Sequence, residues 1–123
     1  MKFTLDSRSD VNLIRGYGVG VLQVGDKSVR THCIVCADAL IESWEVTSVG
    51  ELTPEALAPV WALKPELVLL GTGAQQRFPG AAVREAFRAR GIGLESMDLG
   101  AACRTYNVLV QEERRVVALL FLS

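Results

Sequence analysis

Two uninterrupted apolar runs, Leu67 to Leu70 and Val116 to Leu122, restrict the fold of this chain more than any other feature. A strand with one face in water alternates apolar and polar residues, so a continuous run marks a strand covered on both faces. The longer run holds seven residues, where a membrane-spanning helix needs about twenty. Between the two runs lie helical patterns. Pro79 to Arg90 reads as a helix with Ala82, Val83, Ala86 and Phe87 on one stripe, and Gly91 is placed to end it in a left-handed conformation. A short strand, Ile92 to Met97, follows. Asp98 is a good helix cap, and Leu99, Ala102, Cys103, Tyr106, Leu109 and Val110 recur at helical spacing behind it. The C-terminal half therefore reads βαβαβ, ending on the second apolar run.

Upstream the pattern changes. From Asp10 to Trp44 the chain is short-period, Val-rich and broken by glycine, the mark of strands joined by tight turns. Val19 to Val24 and Ser28 to Cys36 are expected to pair around Gly25-Asp26-Lys27, where glycine supplies the positive φ of a hairpin turn. Gly16, Gly18 and Gly20 suggest a bulge or bend in the first strand. Thr53-Pro54-Glu55 reads as a capped helix start, and Pro59 is expected to shorten or kink that helix. No linker, repeat or low-complexity segment divides the 123 residues. The chain reads as one α/β domain over residues 1–123, with 1–10 as a less ordered lead-in.

Charge narrows the function classes. Thirteen basic and fourteen acidic residues leave a net charge of −1, so no global field draws in nucleic acid or an anionic membrane. The first residues lack the apolar run of a secretory signal and the Arg-rich look of a transit peptide, and three cysteines fit a reducing compartment. A bacterial-type cytoplasmic location is the expectation, with no transmembrane segment and with peripheral membrane contact left open.

Several residues invite a chemical reading. Gly71-Thr72-Gly73 follows a buried strand, where open α/β sheets bind ligands, and its main-chain N–H groups offer an anion site. A dinucleotide reading fails on Gln76, which stands where the third glycine belongs, and on the late helix start at Pro79. Cys33 and Cys36 form a lone CxxC in a strand-like stretch, so their side chains should point to opposite faces. His32 and Cys36 share a face but lie about 13 Å apart. Core thiols are therefore expected for both, and for Cys103. His32, the one histidine, has no nucleophile signature to serve and reads as structural or surface. No metal, cofactor or catalytic set follows from these residues.

Arg104, Thr105 and Asn107 are the polar members of the last helix. Arg104 and Asn107, with Gly100 and Gln111, fall on the face turned away from the Leu99 and Tyr106 stripe. Thr and Asn are indifferent helix formers, so they ask either for internal hydrogen bonds or for a recognition surface. Tyr106 is expected in the core with its hydroxyl bonded at the edge. Arg77, Arg84, Arg88 and Arg90 gather around the preceding helix as a solvated face, with docking to an acidic surface as the lesser reading.

Leu67-Val68-Leu69-Leu70-Gly71-Thr72-Gly73, then Arg77-Phe78-Pro79, then Met97-Asp98 and Arg104-Thr105-Tyr106-Asn107-Val108-Leu109, resemble a small family of α/β domains of unknown function. That family includes the mitochondrial assembly factor 3 of respiratory complex I. The likeness runs from about Val11 to Leu122; one departure is Leu99, where the pattern has a Thr beside the aspartate. The resemblance implies a three-layer α/β domain: a mixed central sheet, the βαβαβ C-terminal half and a hammerhead-like β-hairpin N-terminal half. It also implies an accessory or assembly factor acting by protein contact, mitochondrial in the named relative. Gly71, Thr72, Gly73, Arg77, Asp98, Arg104, Thr105, Tyr106 and Asn107 are the candidate partner- or ligand-binding residues. The alternative makes the Gly71 to Gly73 loop and the Asp98 helix start a pocket for a small anion, in a binding domain or an enzyme. Neither reading gives a partner's identity or an oligomeric state.

Overall fold

The strand with the longest apolar run takes the centre of the sheet. In the computed structural model, which describes residues 11–123, β8 (Val116–Phe121) is buried at all six positions. It runs parallel to β6 (Leu67–Thr72) on one side and antiparallel to β4 (Cys33–Cys36) on the other. Beyond these lie β7 (Gly93–Met97), parallel to β6, and β5 (Ala39–Ile41), antiparallel to β4. The mixed five-stranded order is β5-β4-β8-β6-β7. The expected lead-in over residues 1–10 lies outside the described residues.

Alternation along β8 divides the interior in two. Val116, Ala118, Leu120 and Leu122 join a core beneath α3 (Leu99–Gln111) and the antiparallel sheet of β1 (Ile14–Gly18), β2 (Val21–Val24) and β3 (Lys27–Val29). Val117, Leu119 and Phe121 face the opposite core with α1 (Ala58–Ala62) and α2 (Ala81–Arg90). The result is the expected three-layer α/β arrangement, with the hairpin sheet and α3 on one side and the two shorter helices on the other. No helix among the described residues is long and apolar enough to cross a membrane.

Local chemistry sets most boundaries. Asp98 accepts a hydrogen bond from the Ala101 N–H (2.8 Å) and starts α3, while Gly91, at φ 67°, closes α2. A bulge between Ile14 and Gly16 bends β1, as its glycines suggest.

Three expectations are corrected. Ser28 to Cys36 is not one hairpin strand: β2 pairs with β3 only as far as Val29, and Cys33–Cys36 lies in the five-stranded sheet. All four residues of β4 are buried, and only a strand inside a covered sheet offers that. Pro59 starts a helix instead of ending one. Thr53 caps a single 3-10 turn, Pro54–Leu57, and Pro59 sits in the first turn of α1, where its missing N–H costs nothing. Ala82 is exposed, so Val83 and Phe87 alone form the buried stripe of α2.

The layers meet closely at Gly71. A methyl group there would stand 2.9 Å from Ala102 Cβ on α3 and 2.9 Å from Leu120 Cδ2 on β8. Gly71→Ala is expected to lower stability by about 1–3 kcal/mol through overpacking, read as a lower urea midpoint at unchanged slope.

Candidate functional site

Thr72 ends β6 and organises the loop that follows. It is 2% exposed; its hydroxyl donates to the Gln75 carbonyl (2.6 Å), with the Met97 carbonyl 3.2 Å away, and accepts from the Arg77 N–H (2.9 Å). Gly73 turns the chain at φ 79°, and a methyl group on it would lie 2.7 Å from the main chain of Ser123, so only glycine fits. Its carbonyl accepts from the Leu99 N–H at 2.7 Å, which fastens the loop to the start of α3.

This junction forms the floor of a cleft of about 710 Å³. Gly73, Asp98, Leu99 and Arg104 line one side, and the β1–β2 tip, Tyr17 to Val19, forms the other. Arg104 donates to the Tyr17 hydroxyl at 3.0 Å across the opening. Val19, at the lip, is 103% exposed and Tyr17 48%. A second groove, about 680 Å³ with Trp44, Glu45, Glu51 and Glu55 in its wall, contains none of the candidate residues.

The structure divides the candidate set. Gly73, Asp98 and Arg104 line the cleft, while Gly71 and Thr72 are buried behind it. Arg77 is exposed on the loop beyond. Tyr106, fully buried, donates its hydroxyl to the Asn12 carbonyl (2.7 Å). Asn107 brackets β1, accepting from the Ile14 N–H (2.9 Å) and donating to the Ile14 carbonyl (2.7 Å). Part of the helix face expected to point away from the core, Gly100 and Asn107, thus lies against the hairpin sheet with Asn107 as the fastener, while Arg104 and Gln111 on the same face stay exposed. Thr105, half-buried, lines no part of the cleft.

Two of the donors that the anion reading would draw on are taken. The Leu99 N–H is taken by Gly73 and the Ala101 N–H by Asp98, whose carboxyl group already sits at the positive end of α3. Asp98 is committed as a cap.

The thiols follow the strand geometry. Cys33 and Cys36 face opposite cores and cannot share a metal or a disulfide. Burial pushes the Cys33 thiol up to about 12, with Cys103 and Glu42 adding to it, and burial pushes Cys103 to about 12 as well. Cys36 is raised by burial too, against a main-chain hydrogen bond at Asp38 that lowers it, and the bond its thiol donates to the Asp38 carboxylate (3.2 Å) adds to the rise; that bond, and then Arg115, lower the Asp38 carboxyl. Burial likewise raises Tyr106. His32 accepts from the Leu122 N–H at Nδ1 (3.0 Å) and, in that tautomer, donates from Nε2 to the Thr47 carbonyl (3.0 Å), a structural role.

Residues 14–121 match the family described as "Protein of unknown function (DUF498/DUF598)". The chain belongs to this family. It is 33% identical over 110 residues to the NADH dehydrogenase (ubiquinone) 1 alpha subcomplex assembly factor 3 of Danio rerio, which covers 88% of this chain and 63% of that relative. The human protein of the same name is 30% identical over 103 residues, covering 82% of this chain and 55% of its own length. The chain thus spans little more than half of these curated relatives. Among solved structures, a Xanthomonas campestris protein is 40% identical, with a TM-score of 0.83 over 90% of this chain and 84% of its own. A Bordetella parapertussis protein is 33% identical, with a TM-score of 0.84 over 92% and 97%.

Tyr17, Val19 and Asn12 escaped the sequence reading. For Val19 a signal existed, since an apolar residue between Gly18 and Gly20 occupies a hairpin tip that polar residues usually fill.

Thr72→Val keeps the shape but leaves the Arg77 N–H and a loop carbonyl without their partner; a loss of about 1–3 kcal/mol in denaturant unfolding is expected, with faster amide exchange over 73–77. Stability should also fall with alkali. Below the ordinary thiol value of 9.0 the cysteines are neutral in both states, and above it the unfolded chain releases protons that folded Cys33 and Cys103 keep until about 12. Between those limits the melting temperature should drop more for the native chain than for a Cys33→Ala, Cys103→Ala variant.

Proposed function

We propose that this protein is an accessory or assembly factor that works by contact with protein partners, similar to its complex I assembly relatives. The observation that carries the reading is the rim of the Gly73 cleft. A fully exposed valine, a half-exposed tyrosine and an arginine gather there on a rigid base, and exposed apolar side chains beside an aromatic and an arginine are the composition of protein contact surfaces. Gly73, Asp98 and Arg104 position that rim. Gly71, Thr72, Tyr106 and Asn107 serve it from behind, by fixing the loop, the helix and the hairpin sheet relative to one another. Arg77 and Thr105 belong to the surrounding surface. The expected cytoplasmic location, with any peripheral membrane contact, is part of the same proposal. The small-anion alternative draws no support from the occupied N–H groups of α3.

Deletion of the gene in its native organism should reduce the amount of fully assembled complex I on a native gel, and the intact gene should restore it. Val19→Asp, at a position with no burial to lose, should fold normally yet fail to restore assembly. Normal complex I in the deletion strain, with no respiratory subunit or assembly partner recovered by affinity purification, would sink the reading. Full rescue by folded Val19→Asp would move the contact surface elsewhere.

A further inference from the structure

The five-stranded sheet ends on β7, and that edge has an open side. Ser96 turns its carbonyl away from β6, where the Gln76 amide donates to it at 2.8 Å. Main-chain groups alternate sides along a strand, so the N–H and carbonyl of Leu94 face the same open side. No hydrogen bond from another described residue meets them there.

A groove of about 350 Å³ runs beside this edge, between β7 and α2. Phe78, Phe87, Ile92 and Leu94 supply its apolar surface, and Phe78 is left 69% exposed. Arg84 and Arg88 stand in its wall. Arg88 is held by Glu85 (2.6 Å) and Arg90 lies over the Trp61 ring (4.3 Å), whereas Arg84 is exposed and makes no ion pair with a described residue. The other face of the edge carries the exposed Glu95. The free N–H and carbonyl of Leu94 thus lie along the edge, with an apolar trough and a positive charge on the α2 face beside them and a negative charge on the other face.

We propose that β7 accepts an extended acidic segment of a partner protein as an added strand. Main-chain bonds to Leu94 give it register; on the α2 side an apolar residue covers Phe78, and an acidic residue two positions away meets Arg84. Residues on the opposite face, next to Glu95, must be neutral or basic. This surface shares no residue with the cleft rim and does not depend on the assembly role.

The test uses the full chain, labelled with ¹⁵N, and two synthetic peptides that alternate Val and Glu, or Val and Lys, on one face and carry Thr on the other. The Glu peptide should slow hydrogen exchange at Leu94 and confine its chemical-shift changes to β7, α2 and Phe78. It should bind about fivefold more tightly than the Lys peptide, the scale of one exposed ion pair. Arg84→Glu should reverse that preference, and Phe78→Ala should weaken both peptides. Equal binding of the two peptides, shifts centred on Tyr17 and Val19, or no protection of Leu94 would overturn the proposal. So would protection of Leu94 that grows with protein concentration in the absence of peptide, since the occupant would then be a second copy.

Discussion

The contact between β6 and α3 at Gly71 is the constraint on which the other features depend. Because no side chain separates them, Ala102 and Leu99 settle directly onto the strand. That approach brings the first N–H of α3 to the Gly73 carbonyl and sets Asp98 at the mouth of the loop. Sheet, loop and helix then hold one another at fixed distances. A cleft between such elements keeps its shape, which is what a surface needs if it is to recognise a partner without first being ordered by it.

A second set of interactions, polar and nearly buried, docks the hairpin sheet onto this base. Asn107 satisfies both main-chain groups of Ile14, and Tyr106 reaches the Asn12 carbonyl. The Asn12 side chain in turn donates to the carbonyls of Cys36 and Ala39. Each bond adds modest net stability, but breaking one strands a partner away from water at a higher cost. The hydrophobic core holds the two sheets together; these groups fix their register, and with it the place of the hairpin tip above the cleft.

The β6, β7 and β8 strands, both long helices and the Asp98 cap were legible because each rests on a local pattern: an apolar run, a helical period, a capping residue. The break between β3 and β4 was not. Val29 and Cys33 are both apolar strand residues, and only the competition between two sheets for partners assigns them differently. The candidate site was half legible for the same reason. Gly71, Thr72 and Gly73 announce a tight loop in the sequence, but for Asn107 internal bonds and a recognition surface both stayed open, because helical spacing says which residues share a face and not what covers that face. Its partner, Ile14, lies 93 residues away. The CxxC was read correctly because strand alternation is local.

The central strand is formed by residues 116–121, near the C-terminal end of the matched region. Before β8 arrives, β4 with β5 and β6 with β7 are separate pairs, each with a long apolar edge and no partner between them. On the ribosome most of the chain must therefore wait, unzipped down the middle, for one late segment to join its halves. Closure is an event of high contact order, the kind of step that is slow and leaves strand edges exposed until it happens.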